Sequence, residues 1–349
     1  MGGAEVFTHE IAKRWVESGN EVTLFTSEFP TCKKEEEVDG VRIVRSGRKY
    51  QVFCNAKKHY IKYFSKEDYD VVVDEINTRP FFAPKFVNNG EKIVALIHQL
   101  AREYWFYETP FPISYIGYYF LEKRWLKHYV DVPTVTVSES TKQDLLELGF
   151  SRVFVVPEGL NFKPLTNIPE KENYPTVVYS GRIKRAKRPD HAIKAFKIIK
   201  RKVPEAELWV IGDGPFKEDL EKMACEGVRF FSNLNNFERR ARIKKSWVLV
   251  NPSIREGWGL NIVEANALGV PAVGYSVHGL RDSIKDLETG LLTKAGDIVD
   301  LASRTVTILK NRMLRERLSR NALNQATEFN WDKTAEEFIN ILKQKLVEK

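Results

Sequence analysis

Two glutamates and two cations in the second half of the chain have the types and spacing for chemistry. In REGWGLNIVEANALGVPAVGY (255–275), Glu256 and Glu264 are separated by seven residues. A strand ending at Asn251 and Pro252 leads into a turn containing Gly257 and Gly259. Leu260, Ile262, Val263, Ala267 and Leu268 then begin an amphipathic helix. Such a turn leaves unpaired backbone N–H groups at the positive end of a helix, which suits a diphosphate. From there Glu256 and Glu264 can face one ligand and accept hydrogen bonds from sugar hydroxyls. Without a ligand, Glu256 reads as a loop acid and Glu264 as a favourable charge near a helix N-terminus.

The cations lie in YSGRIKRAKRPDHAIKAF (179–196), where a strand runs into Gly181, Arg182 follows in the turn, and Lys187 comes just before a helix. Two fixed cations at a strand's carboxyl end can neutralise a diphosphate and stabilise it as a leaving group, replacing a divalent metal. Lys184, Arg185 and Arg188 in the same run read as a solvated basic loop, with a nucleic-acid patch as the alternative.

These motifs need elements to hold them, and short β-branched runs alternate with helical stretches along the whole chain. Strands are predicted at 21–26, 40–46, 70–76, 92–98, 133–138 and 152–157, then at 176–181, 207–212, 228–232, 247–252 and 271–275. Their continuous apolar character calls for parallel sheets covered on both faces. A first helix near 4–18 carries Val6, Phe7, Ile11, Trp15 and Val16 on one face and ends at Gly19. The proline-rich, polar segment 161–175 is the best linker. Two doubly wound domains facing across a cleft follow: 1–163, completed by a C-terminal helix at 331–349, and 164–330. In such sheets the glycine-rich turn follows a central first strand. Here GGAE (2–5) opens the chain, so the N-terminal sheet is expected to lack that strand.

The length of 349 residues fits two domains, and 43% apolar with 29% charged residues excludes disordered and fibrous chains. The net charge of +8 is unevenly shared. Residues 1–163 hold 22 basic against 23 acidic side chains, and 164–349 hold 33 against 24, so an anionic ligand is expected in the second half. Cys32, Cys54 and Cys225 form no CxxC pair, and none of the six histidines falls three or four residues from another. Neither a disulfide framework nor a metal site is suggested, and a reducing cytosol fits. The window 104–121 contains nine aromatics but is interrupted by Glu108, Pro110 and Pro112, which makes a poor spanning helix.

Glu256 and Glu264, GR…K at Arg182 and Lys187, IGDGP at 211–215 and GGAE at 2–5 together resemble the retaining nucleotide-sugar glycosyltransferases of family 4, which have the GT-B fold. The resemblance runs nearly the whole chain in consistent order, including a closing helix in FNWDKTAEEFINILKQKL (329–346). It implies that Arg182 and Lys187 bind the donor diphosphate and that Glu264 accepts from the ribose hydroxyls. Glu256 would contact donor-sugar hydroxyls, with the amides of Trp258, Gly259 and Leu260 nearby. Gly3 would close over the phosphates, and His98, ending a strand in ALIHQL, matches the histidine beside the donor sugar. Asp213, between Gly212 and Gly214, shapes the turn near the base. The chain departs from the family at Pro157, Glu158 and Gly159, where many members have PNG.

What the resemblance implies is transfer of a hexose from a nucleoside-diphosphate sugar to a hydroxyl of a glycan or lipid-linked acceptor, without metal or other cofactor, in cell-envelope polysaccharide synthesis. The setting is cytoplasmic, with peripheral contact at the inner membrane face through the aromatic belt 104–129. Trp105, Phe106, Tyr115, Tyr118, Tyr119 and Trp125 of that belt suit core packing, sugar stacking or a membrane interface. Nucleic acid is not an expected partner, because the basic residues interrupt strand–turn–helix motifs instead of forming a nucleic-acid module. A sugar-nucleotide epimerase, a phosphorylase-like enzyme and an inactive truncated relative remain alternatives on the same fold.

Overall fold

Valine-rich runs bounded by glycine and proline form the strands of both halves, and the computed structural model describes residues 2–88 and 90–347. Met1, Asn89, Glu348 and Lys349, which the domain boundaries include, lie outside the described residues. The chain divides into two units. The first comprises Met1–Arg102, Tyr115–Gly159 and Asn330–Lys349, and the second Glu103–Ser114 and Leu160–Phe329.

In the first unit, β1 (Thr23–Thr26), β2 (Glu35–Val38) and β3 (Val41–Arg45) form a three-stranded sheet in the order β1-β3-β2. β2 departs from the all-parallel expectation. It pairs antiparallel with β3 through a turn at Asp39 and Gly40, whose φ of 50° and 77° match a tight hairpin turn. Its sequence, EEEV, is too polar to read as a strand, but three of its four residues are exposed and an edge strand tolerates that. β4 (Val71–Glu75), β5 (Lys92–Ile97), β6 (Thr134–Thr136) and β7 (Val153–Val155) form a separate, parallel sheet in chain order.

The expected depletion of the first sheet takes the form of a break between β1 and β4. β1 pairs only with β3 and β4 only with β5. Arg42 N–H donates to Val22 O and Ser46 N–H to Thr26 O, so the even-numbered residues of β1 face β3. By the same alternation Thr23 and Phe25 turn their peptide groups to the break. On the other side Lys92 N–H donates to Asp70 O and Ile76 N–H to Leu96 O, which leaves Val71, Val73 and Glu75 facing it. The first helix (Gly3–Glu17) spans the break: Thr8 Oγ1 donates to Glu75 Oε2 at 2.6 Å, and His9 meets Asp39 of the β2–β3 turn at 3.1 Å. Helix Trp331–Val347 braces it from outside. Phe7 packs its ring on Trp331 and Phe338, and Trp15 Nε1–H donates to Ala335 O.

In the second unit β8 (Thr176–Ser180), β9 (Glu207–Ile211), β10 (Val228–Phe231), β11 (Val248–Asn251), β12 (Ala272–Tyr275) and β13 (Gly290–Thr293) make one continuous parallel sheet. The order is β10-β9-β8-β11-β12-β13, with the first strand in the middle. β13, a short GLLT edge, was not predicted. The segment 161–175 is no free linker. Lys171 Nζ donates to Lys244 O and Gly269 O, Trp247 Nε1–H to Glu172 O, and Leu165 N–H to Ala267 O.

Two further differences concern the aromatic belt. Glu103–Ser114, placed by sequence in the first half, belongs to the second unit. Core packing holds for Trp105, which is buried, but Phe106, Tyr115 and Tyr119 are exposed, as is Phe120 at 69%. These last three lie on an irregular helical run with a π turn at Gly117–Leu121. The run is anchored by buried Glu122, which accepts from the N–H groups of Ala101 and Arg102. Among the described residues no helix is long and apolar enough to cross a membrane.

Candidate functional site

In the second unit, glycine turns follow β8, β9 and β11 at one end of the sheet. Gly212, at φ 145°, lies so close to the first turn that a Cβ there would sit 2.0 Å from Gly181 O. The Gly181 N–H donates to Ile211 O and the Ile183 N–H to Asp213 O. Asp213 also accepts from the Gly214 N–H at 2.8 Å. Its position is thus that of a turn former, with the β8 and β9 loops interlocked through their backbones.

Between these turns and the helix Leu260–Ala267 lie the paired residues. Lys187 Nζ donates to Glu256 Oε2 at 2.5 Å, and Ser253 Oγ donates to Glu256 Oε1 at 2.7 Å. Burial by itself would lower the Lys187 pKa, but the Glu256 carboxylate and the Tyr104 hydroxyl reverse this and raise it. The ammonium is therefore charged throughout the neutral range. Gly259 caps the helix at φ 86°, where a side chain would strike Ser283 Oγ. Trp258 is buried against the Phe329 ring. The Leu260 N–H lies in the first helical turn, where no intrahelical acceptor is available. Glu264, one turn into the helix, is gripped by Arg239, whose Nη1 and Nη2 donate to its two oxygens at 2.6 and 2.8 Å.

Arg182 is exposed, and among the described residues it makes no ion pair. Its carbonyl accepts from the buried Tyr179 hydroxyl, which holds the turn while leaving the guanidinium unpaired. The neighbouring cations are engaged: Lys184 with Glu108, Arg185 with Asp219, and Arg188 with Asp190. They fit the solvated-loop reading.

Spacing could not reveal two groups of residues. One is Arg239, which faces Glu264 from a different helix, Asn236–Lys245. Its only signal was the basic run ERRAR. The other is helix Tyr104–Glu108, which lies over the basic turn. Tyr104 donates its hydroxyl proton to Arg255 O, Glu103 pairs with Arg255, Tyr107 accepts from Arg188, and the Lys187 ammonium sits over the Tyr104 ring.

The remaining candidates, Gly3 and His98, lie in the first unit. Gly3 is in the first turn of the first helix instead of a loop, and a Cβ there would meet Glu158 at an ordinary 3.7 Å, so packing does not demand glycine. His98 follows β5, buried, with a carboxylate at each nitrogen: Glu158 Oε1 3.5 Å from Nδ1 and Glu75 Oε1 3.6 Å from Nε2. Burial would lower its pKa, yet the two carboxylates hold it up to about 9.

Two doubly wound α/β units, one with charged pairs set on the glycine turns of a continuous parallel sheet, define the class of fold. Residues 1–163 match the profile of Glycosyltransferase Family 4, and residues 165–325 match that of Glycosyl transferases group 1. The chain belongs to glycosyltransferase family 4. A sulfoquinovosyl transferase of Arabidopsis thaliana is 34% identical over 167 residues, 47% of this chain and 31% of that protein. A phosphatidyl-myo-inositol mannosyltransferase of Mycobacterium leprae is 26% identical over 229 residues, 61% of this chain and 59% of that protein. The matched stretches thus span less than two thirds of these relatives. Among solved structures, sucrose-phosphate synthase from Thermosynechococcus elongatus superposes with a TM-score of 0.81 at 19% identity, covering 100% of this chain and 94% of the other. The fold is GT-B.

Proposed function

We propose that this chain is a retaining hexosyltransferase that moves a sugar from a nucleoside-diphosphate sugar to a hydroxyl of a glycan or lipid-linked acceptor, without a metal ion. The observation that carries this reading is the Lys187–Glu256 pair on the turns after β8 and β11, with Glu264 of the helix Leu260–Ala267 held by Arg239. Lys187 and unpaired Arg182 supply two positive charges for a departing diphosphate, where a metal-dependent enzyme would use a cation. Glu264, oriented by Arg239, has lone pairs left for a ribose diol. Glu256 trades its bond to Lys187 for sugar hydroxyls as the lysine turns to phosphate.

In the transfer itself, the bond between the anomeric carbon and the phosphate oxygen breaks as the acceptor oxygen bonds to the same face of that carbon. The acceptor's proton passes to the departing phosphate oxygen. Lys187→Ala and Glu256→Ala are expected to lower kcat/KM at least 100-fold, or about 2.7 kcal/mol of transition-state binding. The measurement is acceptor-dependent release of nucleoside diphosphate. Wild-type rates in both variants would overturn the assignment, and nucleoside-diphosphate release that does not depend on an acceptor would overturn the transferase reading.

The same reading places the enzyme at the cytoplasmic face of an anionic membrane. Tyr115, Ile116, Tyr119 and Phe120 are exposed, and Lys123, Arg124 and Lys127 follow on the same helical run, also exposed. Aromatics beside cations suit a lipid headgroup region. Co-sedimentation with anionic liposomes, lost in Tyr119→Ser with Phe120→Ser, is the test. No binding by the wild type overturns it.

A further inference from the structure

Three ionisable side chains from three strand ends of the first unit converge, and the functional reading above uses none of them. Glu75 is the last residue of β4, His98 follows β5, and Glu158 follows β7. All lie beyond the carboxyl ends of parallel strands. β4 is an edge strand of its parallel sheet, and ligands of doubly wound sheets bind outside the carboxyl ends of the strands.

The two carboxylates differ in access. Glu158 has 5% of its side chain exposed, and Glu75 has 22%. Glu75 has one partner for each oxygen, Thr8 Oγ1 on Oε2 and the His98 ring 3.6 Å from Oε1, so about two acceptor sites remain open. Its chain neighbour Asp74 is already satisfied. Turned to the opposite face of β4, Asp74 is buried and accepts from the Tyr129 hydroxyl and from the N–H groups of Phe81 and Ala83.

The charges decide the kind of ligand. Every titratable or polar group known to face His98 is Glu75 from β4 and Glu158 after β7. The first helix contributes the Phe7 ring at 5.0 Å, and Thr141 donates only to the His98 carbonyl. No lysine or arginine among the described residues pairs with either acid. One imidazolium between two carboxylates leaves a net charge of −1. His98 itself is 95% buried, and neither of its ring nitrogens finds a hydrogen-bond partner of good geometry. The ring N–H groups face the cluster's own two carboxylates, and its open positions are the acceptor lone pairs of Glu75. It accepts hydrogen bonds from neutral hydroxyls.

From this geometry we infer that Glu75 is the acceptor-binding residue of the first unit, receiving hydrogen bonds from the hydroxyls of a neutral polyol or sugar, with His98 and Glu158 as positioning residues behind it. The inference rests on the glycosyl-transfer reading for the word acceptor. The site itself follows from Glu75, His98 and Glu158 alone.

The test measures binding of glycerol, myo-inositol and methyl α-glucoside to the full chain by saturation-transfer NMR, with no nucleotide present. The wild type is expected to bind at least one, and Glu75→Gln to weaken it at least tenfold while nucleoside-diphosphate binding stays unchanged. Glu158→Gln is expected to weaken it less, but to lower the His98 titration midpoint, followed by ring ¹⁵N shifts, by at least one pH unit. A merely structural Glu158 would leave that midpoint in place. Failure of the wild type to bind any of the three, or equal binding by Glu75→Gln, overturns the proposal. A chain that binds polyols but no nucleoside diphosphate would overturn the transfer reading and leave this one standing.

Discussion

The second unit has one continuous parallel sheet, and the first has two separate sheets. In the second, β8 lies between β9 and β11, and all five of its residues are buried. In the first, the corresponding middle position separates β1 from β4. All four residues of β1 and four of five in β4 are only half-buried. A central strand does more than fill volume. It gives both neighbours their ladder partners, and its carboxyl end launches the turn on which ligand-binding side chains sit. The second unit therefore holds Gly181–Lys187 through backbone bonds to adjacent turns. The first holds its ionisable cluster through side chains and two bracing helices.

This comparison can be broken at its strongest point with one substitution in each sheet. Val178→Asp, in the fully buried β8, is expected to abolish folding of the second unit by burying an unpaired charge, a loss of at least about 4 kcal/mol. Val73→Asp, on the half-buried edge strand β4, should cost about 1–2 kcal/mol. Urea unfolding followed by tryptophan fluorescence checks both, and similar costs would mean that the edges at the break are not loosely held.

Smaller effects probe how each unit orients its charges. Arg239→Leu frees Glu264 and should raise the donor KM about tenfold, about 1.4 kcal/mol, with kcat within twofold. Rescue by Arg239→Lys should be partial, because lysine cannot grip both oxygens. The two units are also expected to respond oppositely to pH. His98 has a folded-state pKa raised above its unfolded value of 6.5, so its contribution is present below 6.5 and lost as pH rises through about 9. His191 of the second unit is desolvated and lies beside Arg188, which lowers its pKa to about 4. The unfolded chain takes up that proton first, so stability is full above 6.5 and falls as pH drops toward 4. Thermal midpoints from pH 4 to 10 for His98→Asn and His191→Asn check the pair. Each variant should flatten only one limb.

Much of this was legible from residue order. The turns after β8 and β11, with Lys187 and Glu256, lie within single strand–turn–helix segments, where spacing constrains position. The two separate sheets of the first unit agree with the expectation of a depleted sheet. β2 and β13 were not legible, because short edge strands carry little apolar signal. Nor was the fate of the aromatic belt, since aromatic residues suit a core and an interface equally.

By itself the sequence determined the alternation of strands and helices, the charge of the second half and the local motifs, because these depend on neighbours a few residues apart. Only the tertiary structure decided the partners. Arg239 reaches Glu264 across 25 residues, Lys187 reaches Glu256 across 69, and Glu75, His98 and Glu158 converge from three strands. Such contacts depend on strand order and register, which set distances that no local pattern encodes.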